Sequence, residues 1–202
     1  MIIIVDYALG NVRSIYAKLH QMGEEVKISN DLNDIENADK LILPGVGSFD
    51  RGMNNLQDIG IKKGLDKKII NDKTPVLGIC LGMQLFSKKS QEGKDEGLSY
   101  FNAETIKFYF PKNNFPIPHM GWNIIKFKNE SEILTNIDNY SRFYFVHSFH
   151  LKCDSESDII AATPYGYDFT SIIQHDNIFG VQFHPEKSHK QGLQILKNFS
   201  RY

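Results

Sequence analysis

The segment Gly78-Ile79-Cys80-Leu81-Gly82, entered directly from the apolar run Pro75-Val76-Leu77, constrains this chain more than any other stretch. The run reads as a buried strand and the residues after Cys80 are helix-compatible, so Cys80 falls on a strand-to-helix turn. Glycines two residues before and two after it let strand and helix approach closely around a strained backbone. A thiol so placed lies at a helix N-terminus, where the dipole and free N–H groups favour thiolate. On its own the pattern more often marks a small buried cysteine.

A thiolate needs a base to shuttle protons, and the base needs an orienting group. His184-Pro185-Glu186 can supply both. Proline at 185 biases His184 toward an extended backbone, and a spacing of two in extended chain puts both side chains on one face. Taken alone, that tripeptide could be a turn followed by a helix cap. Attack on an amide carbonyl would also need backbone donors for the oxyanion. The amide of Leu81 is one candidate. The Pro44-Gly45-Val46-Gly47 turn, where two glycines let the backbone rotate, is the source of a second. Gln84, one turn along the helix from Cys80, is placed to hydrogen-bond the substrate.

Short apolar strands alternate with helical patterns, the signature of an α/β fold. Residues 1–6, Val26–Ile28 and Lys40–Leu43 read as strands. Asn11 is positioned to cap a helix whose Val12, Ile15, Tyr16, Leu19 and Met22 fall at helical spacing, and Gly23 ends it. Ligands of open parallel sheets bind outside the carboxyl ends of the strands, which brings the turn after Leu43 to the edge that carries Cys80. After residue 98 the segments 104–109, 122–128, 142–151, 158–163 and 170–174 are aromatic and β-branched, as antiparallel additions would be. Gln174–Asn177 reads as a hairpin whose second strand, Ile178–Phe183, delivers His184. Residues 186–200 read as a closing amphipathic helix, and Lys88–Gly97 as a polar, mobile loop.

The chain has 202 residues and a formal net charge of −1, from 23 basic and 24 acidic residues, so nothing advertises nucleic acid or an anionic membrane. The length suits a single domain spanning 1–202. No apolar run approaches the ~20 residues of a membrane span. Met1–Val5 stops at Asp6 without a basic lead and reads as a buried strand rather than a signal peptide. A disulfide between the two cysteines, Cys80 and Cys153, would block the nucleophile, which points to a reducing cytosol. No histidine spacing is accompanied by a matching ligand framework, so neither metal nor cofactor is expected. Asp6–Asn11 lacks the dinucleotide fingerprint.

Together and in this order, Gly78–Gln84 and His184–Glu186 resemble the class I, triad-type glutamine amidotransferases. Asp6–Asn11, Pro44–Phe49, Pro118-His119-Met120-Gly121-Trp122-Asn123 and Phe145–Phe149 resemble signature segments of that family's histidine-biosynthesis branch. The similarity runs over essentially the whole chain. It implies a three-layer α/β sandwich with a mixed, mostly parallel central sheet and a nucleophile elbow. It implies Cys80, His184 and Glu186 as catalytic residues, with Leu81 and the Val46–Gly47 peptide as oxyanion donors. That peptide is expected to face the wrong way until a partner engages. Gly45, Gln84, Ser148 and Phe149 are implied for glutamine binding, and Asn11, Trp122 and Lys187 for partner contact and gating. The implied partner is a barrel-type cyclase that receives ammonia through a channel in a heterodimer. Leu9 departs from the glycine, proline or methionine usual at its position. Three other readings stand beside this one: the same chemistry feeding another acceptor such as a sugar, a non-catalytic scaffold, and a stand-alone cysteine peptidase.

Overall fold

In the computed structural model, which describes residues 1–111 and 115–202, a mixed sheet runs through the centre of the molecule. Its first half is parallel: β1 (Ile2–Val5), β2 (Val26–Ser29), β3 (Lys40–Gly45) and β4 (Val76–Cys80) lie in the order β2-β1-β3-β4. These strands are short and aliphatic, and β1 and β4 are buried throughout, as parallel strands covered on both faces must be.

The helices divide between the faces by the two-residue period of the strands. Ile2, Ile4, Ile42, Leu77 and Ile79 meet α1 (Val12–Gln21) and the C-terminal helix α6 (His189–Arg201) through Ile15, Leu19, Ile195, Leu196 and Phe199. On the other side, Ile3, Val5, Leu41, Leu43 and Val76 pack with α2 (Leu32–Glu36), α3 (Phe49–Asp58) and α4 (Lys62–Asp66) through Ile35, Phe49, Met53, Leu56 and Leu65. The expected three-layer sandwich results. Full burial of each such side chain contributes roughly 2 kcal/mol.

The one-turn helix α5 (Leu81–Gln84) follows β4 directly. Beyond it come the short β5 (Lys89–Ser90), β6 (Ala103–Lys107), β7 (His119–Ile124), β8 (Lys126–Phe127), β9 (Arg142–His147), β10 (Phe149–Cys153), β11 (Ile159–Tyr165), β12 (Tyr167–His175) and β13 (Ile178–Val181). The central sheet continues past β4 as β13-β12-β10-β6-β5, with β11 and β8 branching from β12; β7 and β9 form a separate antiparallel pair. β13 returns parallel to β4 with Val181 opposite Ile79, so the chain after β13 emerges at the edge that carries Cys80.

Several local expectations change. Asn11 occupies the first cap of α1, but its side chain makes no capping bond; its carbonyl accepts from Ser14 and Ile15 instead. The last helix begins at His189, because Pro185–Lys187 forms a separate 3-10 turn and His189 has φ +47°. The 88–97 segment is tied down: Asp50 accepts from the Lys94 and Asp95 amides, and Glu92 accepts from the Phe49 amide. The strand expected from residue 122 starts earlier, at His119, and carries Trp122 inside it, because Met120–Ile124 pairs fully with Arg142–Val146.

Candidate active site

The glycines around Cys80 are dictated by backbone proximity. A Cβ on Gly82 would overlap the Leu43 carbonyl oxygen, and one on Gly78 would sit 2.8 Å from the Met83 backbone. Between them Cys80 takes φ +54° and ψ −109°, a strained conformation for a residue with a side chain. Strain of this kind is held only where the surroundings over-determine it, and here β3 and β4 do so, with Gly45 opposite Cys80. With α5 only one turn long, the free N–H groups of that turn, the Leu81 amide first among them, matter more than a helix dipole.

Past β13 the chain delivers His184, which is 2% exposed. Its backbone is extended, but Glu186 reaches it across the 3-10 turn at Pro185–Lys187 rather than along a strand. His184 Nδ1 lies 3.0 Å from Glu186 Oε1. Nε2, the ring's other nitrogen, is buried and makes no hydrogen bond within ordinary limits, which leaves it to the Cys80 sulfur. Burial alone would depress the imidazole pKa; hydrogen bonding and charge from Cys80 and Glu186 outweigh it and carry the value up to about 10. His184 therefore holds its proton at neutral pH and can give it to a departing amine.

That shift has a measurable consequence. A histidine whose folded pKa is raised contributes stability that is complete below its unfolded value of ~6.5 and disappears as pH rises through about 10. In Glu186→Gln the stability deficit against wild type should be full near pH 6 and shrink toward pH 10, as read from urea midpoints across pH. Its loss of turnover should be milder than that of His184→Ala by about 10–100-fold, the outcome expected of a residue that orients the ring without transferring the proton.

Cys80 opens onto a cavity of about 300 Å³ lined by Val46, Gly47, Leu81, Gln84, Glu92, Pro118 and the Val146–Phe149 segment. That volume is at the small end of ligand sites and suits an amino acid. Gly47 has φ +118°, which permits the 44–47 turn to present its amides beside Cys80. Gly45 is tight: a Cβ there would meet Leu81 and the Tyr7 hydroxyl. Both N–H groups of Gln84 are spent, on the Phe149 carbonyl at 2.9 Å and Gln182 Oε1 at 3.0 Å, so what it offers a ligand is its carbonyl oxygen. The Ser148 and Phe149 carbonyls are likewise engaged, the first by the Phe108 amide and the second by Gln84 and His147. A larger hollow of about 790 Å³ between Phe127, Leu134, Gln174 and Tyr202 contains no cysteine or histidine.

Of the residues expected at an interface, Lys187 is exposed, with Nζ 5.8 Å from the centre of the Tyr144 ring. Trp122 packs edge-on to that same ring and stacks on His189 at 5.0 Å, leaving 38% of its surface exposed. Asn11 is half-buried at the start of α1, and Leu9 is buried against Gly47.

Two residues of the site belong to none of the motifs in the sequence. Gln182 is fully buried, with Nε2 3.7 Å from Cys80 Sγ. A polar residue inside the otherwise apolar run Ile178–Phe183 was the available signal. Glu92 reaches the cavity from the 88–97 loop, where nothing local marks it.

A thiol on a strained turn, a histidine–glutamate pair and a small cavity at a sheet edge are the parts that acyl transfer through a thioester would need. A family model described as glutamine amidotransferase class-I matches residues 3–201. The chain belongs to the class-I glutamine amidotransferase family. Among its relatives, imidazole glycerol phosphate synthase subunit HisH 2 of Methanococcus maripaludis is 50% identical over 98% of both chains. Subunit HisH 1 of Campylobacter jejuni is 44% identical over the whole of both. The fold is shared with solved structures, among them a crystal structure of a glutamine amidotransferase. That structure has a TM-score of 0.76 and 16% identity, over 99% of both chains.

Proposed function

We propose that this class-I amidotransferase is the glutaminase subunit of an imidazole glycerol phosphate synthase, working in histidine biosynthesis in the cytoplasm. The observation that carries the chemistry is the conjunction of strained Cys80, paired His184–Glu186 and the cavity beside them. The names of the full-length relatives support the assembly and the pathway.

Glutamine binds with its side-chain amide at Cys80. Its α-ammonium meets the Gln84 carbonyl and the Glu92 carboxylate, and its carboxylate meets the Ser148 hydroxyl. The Cys80 thiolate attacks the amide carbon, and the oxyanion is held by the Leu81 amide and by the Val46–Gly47 peptide once it is turned inward. His184 protonates the leaving nitrogen, so ammonia departs and a γ-glutamyl thioester remains. Water, deprotonated by the then neutral His184, attacks the thioester carbon, releases glutamate and restores the thiolate beside a protonated His184.

Ammonia set free in water would be wasted, which gives a reason for a barrel-type cyclase docked over the site. Val46, Met120 and Trp122 are exposed apolar side chains of the kind such a partner would cover. If Trp122 is an anchor of that contact, Trp122→Ala should weaken association by ~2 kcal/mol, seen in titration calorimetry with the cyclase, while the isolated chain melts nearly unchanged. The function itself is tested by glutamate release from the purified chain, alone and with liganded cyclase. Slow turnover that rises on addition of the liganded partner supports the reading; cleavage of peptides, or glutamine turnover indifferent to the partner, defeats it. No helix among the described residues is long and apolar enough to cross a membrane.

A further inference from the structure

We propose that Gln182 donates to the Cys80 sulfur as the last link of a hydrogen-bond chain that starts at Asn123 on β7, and that this chain positions the nucleophile. The inference deepens the reading of Cys80 as the nucleophile and rests on it.

The direction of each link follows from what each atom can do. His147 Nδ1 lies 2.8 Å from the Phe149 carbonyl, which only accepts, so that nitrogen carries the ring proton. His147 Nε2 is then an acceptor, and the His119 Nδ1 that sits 3.1 Å away must donate to it. His119 Nε2 is left to accept from Asn123 Nδ2 at 3.3 Å. Both rings are buried in an apolar, aromatic setting formed by Phe108, Phe145 and Phe169, which keeps them neutral and their tautomers defined. Desolvation takes His119 down to about 4 and His147 well below its ordinary range.

The Phe149 carbonyl is the junction. Its two lone pairs are taken by His147 and by Gln84 Nε2. The second N–H of Gln84 goes to Gln182 Oε1 at 3.0 Å, which fixes the Gln182 amide so that its nitrogen faces Sγ at 3.7 Å. That distance is a normal length for a donor to sulfur. Sγ itself touches the Val146 carbonyl at 4.0 Å, which is a contact with the β9 strand that bears His147. A donor aimed at sulfur stabilises a thiolate and narrows where it can sit.

β7 also presents exposed Met120 and Trp122, so a load on that strand reaches Asn123 and His119 directly. The chain is thereby a route by which cover on the β7 face alters the thiol, with Asn123, His119, His147 and Gln84 as positioning residues and only Gln182 touching the reacting atom.

The test uses the full-length chain, needs no glutamine, and so fails separately from the glutaminase assignment. Cys80 is alkylated with iodoacetamide across pH, with Cys80→Ala as the blank for Cys153. Gln182→Leu should slow alkylation at neutral pH about fivefold, the worth of one hydrogen bond, and move the midpoint of the pH profile upward. His119→Phe should slow it about twofold, and add nothing further in the Gln182→Leu background. Where His119→Phe fails to fold, Asn123→Ala carries the same comparison. An unchanged rate and midpoint in Gln182→Leu overturns the proposal. So does a His119→Phe or Asn123→Ala effect that persists in full once Gln182 is gone.

Discussion

Replacing Cys80 with alanine should abolish glutamine hydrolysis, by at least ~10³-fold, while the chain folds normally and still associates with the proposed cyclase partner. Cys80 is the only thiol at the cavity, and His184 and Gln182 both address its sulfur. Cys153, the other cysteine, sits on β10 with its thiol pushed up to about 12 by burial and by Asp158, so it cannot substitute at neutral pH. The variant separates the two halves of the proposed reaction. Synthesis by the assembled complex should still proceed when ammonium replaces glutamine, since only the source of ammonia has been removed. Glutamate release measured beside product formation decides the matter. Residual glutamine turnover above about a hundredth of wild type would remove Cys80 from its role, and failure of ammonium to rescue synthesis would contradict the division of labour. Alanine keeps the strain of φ +54°, so the fold should lose little; glycine at the same position should relieve about 1 kcal/mol of it.

Gly82→Ala should be the most damaging change that touches no reacting atom. Its added methyl would overlap the carbonyl oxygen of Leu43, which is backbone held in the β3 ladder and unable to swing aside. Relief requires β3 and α5 to separate, which breaks the apposition of Gly45 and Cys80. A loss of about 3 kcal/mol or more is expected, with turnover falling in parallel. Gly60→Ala provides the comparison. Gly60 has φ +76° but nothing within contact distance of a new Cβ, so only the conformational cost of ~1 kcal/mol applies. Urea midpoints for the two variants measure the difference. Gly82→Ala proving no worse than Gly60→Ala would mean that the elbow is not set by close backbone approach.

What could be read from residue order was whatever local stereochemistry encodes. The apolar runs that became β1, β3 and β4 are legible because a strand covered on both faces has no polar alternation to keep. The elbow was legible because Gly78 and Gly82 answer a constraint within a few residues of Cys80. The hairpin at His175–Ile178 was legible for the same reason, and Asp176 there takes φ +47°. Local signals misled where two structures share one signature. Pro185 suits the first turn of an α-helix and of a 3-10 helix alike, so the start of α6 moved to His189. The glycine-containing stretch before Trp122 carries no strand signal of its own, yet β7 begins at His119, because β9 pairs with it about twenty residues downstream and sets Trp122 opposite Tyr144.

Tertiary structure alone decided how the site is assembled. The parallel return of β13 beside β4 brings His184 to Cys80, and no residue in either segment announces that register. Gln182 reaches Gln84 and Cys80, and Glu92 reaches the start of α3, across 98, 102 and 43 residues of chain. The His119–His147 pair exists only because β7 and β9 place those residues opposite one another. Backbone conformation and burial patterns are governed by neighbours a few residues apart and leave their mark in the order of amino acids. A hydrogen bond between distant side chains depends on how sheets pair and stack, and either partner, seen alone, is an ordinary glutamine, glutamate or histidine.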